Sequence, residues 1–311
     1  MQNAYFQIAT RGDNHWWRYI VGAFLTLSCF FASSTASILL LWVYVKVDGD
    51  PATRVPSSDA IAAGGPLVEG VAPILQYVVF NLSFPFFLLG LYLSLRYLHG
   101  RSLKTLITPA SRISYRRIFQ GFIVFFLLKS FEVLLSYFMA PSEFALNFQL
   151  GSFLAFLPFV VLLTPLQTTT EELFFRGYLM QGTGSRLGKW MAILLPSLFF
   201  MMLHLSNPEV TTQENWEGVV SLAMYYFLTA AFLSWLTIKD KSLELAIGVH
   251  AANNMATLLW VTSSNSVLPS PAVFSLDEIE ASFSIIFTTV AGFLLFSFIV
   301  FRLLKRPEAM I

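Results

Sequence analysis

Cysteine is almost missing from this chain: the single one, Cys29, sits inside an apolar run. An intramolecular disulfide, a cysteine zinc knuckle and a paired-cysteine redox motif are therefore excluded. Charge is scarce too. Lys, Arg, Asp and Glu make up 12% of the 311 residues while hydrophobic residues make up 56%, whereas a soluble domain carries about 25% charge. A net charge of +1 leaves no basic excess with which to hold nucleic acid. Internal repeats, low-complexity tracts and an inter-domain linker are not evident. A cleavable secretory signal does not fit either. The apolar stretch from Tyr19 to Val45 exceeds a signal core of roughly 7–15 residues and lacks a small-residue cleavage site before the next polar loop.

What the chain does contain is long apolar runs, with a mean hydropathy of +0.67 overall. They occur at 19–45, 71–95, 118–139, 152–181, 190–206, 218–237, 243–263 and 281–303, each close to the roughly 20 residues a spanning helix needs. The predicted fold is all-α, a polytopic membrane protein with a bundle of about eight transmembrane helices. Lys and Arg gather in alternate loops: Arg11 and Arg18; Arg96, Arg101, Lys104, Arg112, Arg116 and Arg117; Arg186 and Lys189; Lys239 and Lys241; Arg302, Lys305 and Arg306. The intervening loops hold only Lys46 and Arg54 and are acidic, with Asp48, Asp50, Asp59, Glu69, Glu143, Glu209, Glu214, Glu217, Asp277, Glu278 and Glu280. By the positive-inside rule both ends of the chain face the cytosol. The expected location is an integral, multi-pass position in the plasma membrane, the inner membrane if the source is bacterial.

Three regions are expected: 1–150 with the first three spans and a basic cytosolic loop at 96–117, a core at 151–263 with the next four, and 264–311 with the last span and a tail. The 96–117 loop is expected to lie along the anionic membrane surface.

Placing Asp, Lys or Arg at the centre of a span costs about 2.5–3.5 kcal/mol on the insertion scale, so ionisable groups there mark functional candidates. They cluster on three helices: Glu171, Glu172 and Arg176 on the fourth, His204 at the end of the fifth, and His250, Asn253 and Asn254 on the seventh. Glu172 and Arg176 are four apart and share a helix face, while Glu171 is turned by about 100°. One carboxylate can thus be held while its neighbour works. His250 and Asn254 are also four apart and can present an imidazole and a carboxamide to one point, as suits a polarised carbonyl or an oxyanion. Counted from the nearest basic residue, Glu171, His204 and Asn254 each fall about 20 Å along their helices, in one layer.

Plainer readings apply to some of these residues. Thr168 with Glu171, or Thr169 with Glu172, matches a capping box that would restart a helix after Pro165. His204 alone suits a histidine satisfied by backbone. Lys129 and Glu132, three apart, are expected to neutralise each other, and Gly182, Gly184 and Gly188 to mark a helix end. The Asn81 glycosylation sequon lies inside a span and carries no weight.

At the three clusters the sequence resembles the CAAX-protease and bacteriocin-processing family, also called the abortive-infection family, whose eukaryotic members are the type II CAAX prenyl endopeptidases. Its pattern is EExxxR, then FxxxH, then HxxxN or HxxxD on later helices. Glu171, Glu172 and Arg176, then Phe200 and His204, then His250 and Asn254 meet it in order. The resemblance covers residues 150–263 and implies an intramembrane glutamic endopeptidase acting on a membrane-associated protein or peptide within the lipid bilayer. It further implies that Glu171, assisted by His204, activates water, that His250 and Asn254 stabilise the oxyanion, and that Glu172 and Arg176 orient the site. No cofactor is expected. Zinc stays open as an alternative, since two histidines and two glutamates could hold it, although Asn254 suits an oxyanion better than a metal. Two other readings stand beside the protease: a transporter or channel using the same polar layer, and a catalytically silent scaffold or immunity protein of the family.

Overall fold

A computed structural model of the chain describes residues 4–57 and 68–304. Asp59, Lys305 and Arg306, counted above among the loop charges, lie outside the described residues. The fold is almost wholly helical. Its main helices are α1 (Trp16–Asp48), α2 (Pro73–His99), α3 (Tyr115–Met139), α4 (Leu150–Glu172), α5 (Met180–His204), α6 (Trp216–Asp240), α7 (Glu244–Trp260) and α8 (Ser284–Leu303).

Local chemistry sets several of their ends. α1 stops at Gly49, whose φ of 70° is left-handed and costs glycine nothing. α3 starts at Ser114, whose hydroxyl accepts the Arg117 N–H, and α6 at Asn215, whose Oδ1 accepts the Gly218 N–H at 2.9 Å.

Six helical stretches are long and apolar enough to cross a membrane. The runs 152–181 and 190–206 both lie on the 55-residue stretch Leu150–His204, which holds two helices. The stretch turns at Gly188, where φ 82° and ψ 176° break the helical path. The run 243–263 is only the 17-residue α7, because the backbone becomes extended at Val261. At about 1.5 Å per residue α7 falls short of a bilayer core of about 30 Å. It is buried on nearly all sides, so neighbouring helices and not lipid surround its polar residues. α3 and α7 run alongside each other so closely that a Cβ at Gly121 would strike the Leu245 carbonyl, and one at Gly248 the Ile118 carbonyl.

The basic loops meet at one end of the bundle. The Asp13 N–H donates to the His99 carbonyl, Arg11 to the Pro109 carbonyl, and the Leu243 N–H to the Ile107 carbonyl; Arg117 pairs with Asp240 at 2.7 Å. Part of the 96–117 segment is packed into this end of the bundle. Leu106 is fully buried, Arg101 and Arg117 nearly so, and Leu103 and Ile107 pack on the main core. A short helix, Lys104–Ile107, tucks under Gly177 and receives Tyr5, whose hydroxyl donates to the Leu106 and Arg176 carbonyls. Burial pushes the Tyr5 phenol above its ordinary range, so it remains a donor.

The acidic loops cap the other end. There β1 (Ala145–Leu146) pairs antiparallel and β2 (Val261–Ser263) parallel with β3 (Phe274–Leu276), with Leu146 opposite Phe274 and Thr262 opposite Ser275. Gln213 ties this end together, donating to the Ile279 carbonyl and accepting from the Ala281 N–H. Lys129 and Glu132 pair at 2.8 Å, as their spacing predicts.

Candidate active site

Glu171 and Glu172 close the α-helical part of α4, and the next seven residues, Leu173–Leu179, form a wider π-helix carrying Arg176. Such wide turns re-aim side chains and are frequent at functional sites. α4 does not restart after Pro165. The Thr168 and Thr170 hydroxyls donate back to the Thr164 and Leu166 carbonyls and cap nothing, so the capping-box reading falls away.

Arg176 Nη1 donates to Glu172 Oε1 at 2.9 Å, with both side chains essentially sealed from solvent. The Arg176 guanidinium also lies 4.6 Å from the centre of the Phe200 ring, which contributes a cation–π contact from α5. From α7, His250 Nδ1 donates to the same Glu172 oxygen at 2.8 Å, and its Nε2 stands 3.5 Å from Glu171 Oε2. One imidazole thus lies between two adjacent carboxylates. They differ in access: Glu172 is fully buried, whereas the Glu171 side chain is 13% exposed. Gln167, one turn earlier, donates to Glu171 at 3.4 Å. Glu172 Oε2 and Arg176 Nη2 are buried and have no partner among the described residues.

The structure thus brings Glu171, Glu172, Arg176 and His250 into contact. His204 joins them only through Phe200. Its ring stacks on Phe200 at 4.2 Å, its Nδ1 donates to the Phe200 carbonyl at 2.8 Å, and it makes no direct hydrogen bond to Glu171. Asn254 likewise makes no bond to His250; its Oδ1 accepts from Asn253 Nδ2 at 3.3 Å. The expected face shared by His250 and Asn254 is present, but here the imidazole turns both nitrogens to carboxylates.

Two comparisons bear on this arrangement. Residues 150–256, which contain all six site residues, match the family described as type II CAAX prenyl endopeptidase Rce1-like. Over 283 residues, 89% of each chain, the sequence is 31% identical to the uncharacterized protein YyaK of Bacillus subtilis (strain 168). The chain belongs to the Rce1-like type II CAAX prenyl endopeptidase family. It is an integral membrane protein of a protease family. No solved structure matches it.

A cavity of about 600 Å³ between α3, α4 and α7 is lined by Ile118, Phe119, Phe122, Thr169, Ile247 and Ala251 among others. Zinc does not fit the donors. Glu172 Oε1 is already shared by Arg176 and His250, and among the described residues no three His, Cys, Asp or Glu side chains are grouped to hold a metal ion.

Sequence reasoning missed Gln167, Tyr226, Asn207 and the local role of Glu209. Glu209 reads as one more acidic loop residue, yet its Oε1 accepts from the Tyr226 hydroxyl and from Asn207 Nδ2, and Tyr226 stacks on His204. The only signal in the sequence is a tyrosine inside an apolar run and an acid five residues beyond a histidine.

Proposed function

We propose that the chain is an intramembrane endopeptidase that hydrolyses a peptide bond of a membrane-associated protein or peptide, with Glu171 as the general base. One observation carries the reading: Glu171 keeps partial access while Glu172, Arg176 and His250 are locked together behind it. Glu171 removes a proton from water as the water oxygen adds to the scissile carbonyl carbon, and the tetrahedral oxyanion is stabilised by donors on α7. The His250 imidazole is one such donor. The Asn254 amide is the second. The abstracted proton passes to the leaving nitrogen, the C–N bond breaks, and a carboxylate and an amine result. Glu172 and Arg176 hold the imidazole in place. The apolar cavity between α3, α4 and α7 suits the lipid-soluble part of a substrate that reaches the site within the bilayer.

The test uses purified protein in liposomes with a peptide carrying a prenylated cysteine three residues from its C-terminus, alongside the unprenylated peptide and a leader-type peptide. Mass spectrometry should find one internal cleavage in at least one of them, lost in Glu171→Gln. Cleavage at the wild-type rate by Glu171→Gln would sink the assignment. Absence of cleavage combined with a solute or proton flux dependent on the same residues would make the chain a transporter.

A further inference from the structure

His99 is buried and His204 half-buried, and they are held in opposite ways. His99 has both ring nitrogens engaged, Nδ1 with the Asp13 carbonyl at 2.7 Å and Nε2 with the Tyr178 hydroxyl at 2.9 Å. Among the described residues His204 has only Nδ1 engaged, at the Phe200 carbonyl. A carbonyl only accepts, so Nδ1 carries the proton, and in the neutral ring the Nε2 lone pair is left for another proton. Two aromatic rings lie against the imidazole. Phe200 of its own helix stacks at 4.2 Å and 29°, and Tyr226 of α6 at 4.6 Å and 33°.

Tyr226 is itself fastened at its far end. Its hydroxyl donates to Glu209 Oε1 and accepts from Asn207 Nδ2 at 3.1 Å, while Asn207 Nδ2 also donates to Glu209 at 3.0 Å. Asn207 and Glu209 belong to the turn that leaves His204, where the Asn207 N–H donates to the His204 carbonyl at 3.1 Å. Gln213 then holds the Glu209 carbonyl at 2.8 Å. The chain thus leaves α5, supplies a carboxylate and a carboxamide, and uses them to press a tyrosine of α6 onto the imidazole at the end of α5.

We propose that Glu209 and Tyr226 are positioning residues for His204: the carboxylate anchors the phenol, and the anchored ring keeps the imidazole in the orientation that leaves Nε2 unengaged. Packing alone would be met by a phenylalanine at 226. The hydroxyl, its two partners and the placement of those partners immediately after His204 are what packing does not require. The inference rests on His204 belonging to the reacting group, and it adds to that group two residues that touch neither substrate nor carboxylates.

The test has one readout with substrate and one without. Four histidines are present, so 15N-histidine NMR of the full chain in nanodiscs resolves His204, identified by its loss in His204→Gln. Wild-type protein should show His204 locked with Nδ1 protonated. In Glu209→Ala and in Tyr226→Phe the signal should broaden toward tautomer averaging, and kcat should fall about 10–100-fold with KM unchanged. Glu209→Gln, which still accepts from the phenol, should restore both to near wild type. An unchanged His204 signal and kcat in Glu209→Ala and Tyr226→Phe would overturn the proposal. So would a kcat loss in all three variants that merely follows their melting temperatures. Because the NMR readout needs no substrate, failure of the protease reading would leave the His204 result standing. If Glu209→Ala does not fold, Tyr226→Phe, which keeps the ring, carries the same test.

Discussion

Among the described residues, buried polar groups gather both at the basic end of the bundle and around Glu171. Those of the first group named next pair with one another. Arg117 makes three contacts to Asp240, the shortest at 2.7 Å, Glu244 accepts from the Ser114 N–H and the Ser242 hydroxyl, and Arg101 reaches Tyr19, Thr105 and Gln181. The network around Glu171 is left open at particular atoms: Glu172 Oε2 and Arg176 Nη2 are buried without partners, and Glu171 retains exposure. A fold tolerates an orphaned buried polar atom at a cost of about 1–3 kcal/mol. The first network is therefore read as a clamp on the helix ends, and the second as a site holding donors and acceptors in reserve.

Substitutions should separate the two. The largest effect is expected for Glu171→Gln, which removes the base but keeps the shape: turnover falls by about 10²–10⁴ with the melting temperature little changed. A parallel collapse of the melting temperature would move Glu171 into the structural class. Arg117→Ala should do the opposite, leaving Asp240 buried and costing about 3–5 kcal/mol of stability in denaturant titrations, while kcat per folded molecule stays constant. Asn254→Ala should reduce kcat by about 10²–10³ at constant KM, since an oxyanion donor acts only as charge develops. An effect on KM alone would reassign it to ground-state binding. The smallest effect is expected from a strong chelator, which should leave the rate within about twofold. Loss of activity that stoichiometric zinc restores would place a metal where a base is proposed here.

The residues of the open network stood out in the sequence because an apolar span exposes every ionisable group within it. Spacing within one helix was equally legible, as Glu172 and Arg176 show by pairing at four residues' distance. Contacts between helices were not. No local pattern says that His250 will lie between two carboxylates seventy-eight residues earlier and engage them in place of Asn254. Loop chemistry misled most. Glu209 counted only as a charge on one side of the membrane, and 96–117 as a basic surface segment, because the periodicity of a loop does not reveal what it folds against. The helix end at Gly188 was legible as glycine, and the helical path breaks there.

The shortness of α7 bears on how the molecule is made. A segment of 17 residues carrying Glu244, His250, Asn253 and Asn254 is a poor candidate for entering lipid unaided. It has to be received by helices already in place, chiefly α3 with its closely approaching Gly121. The imidazole would then meet the two glutamates only once nearly the whole chain has been synthesised. Nascent fragments ending before α7 would carry both carboxylates without the imidazole that lies between them.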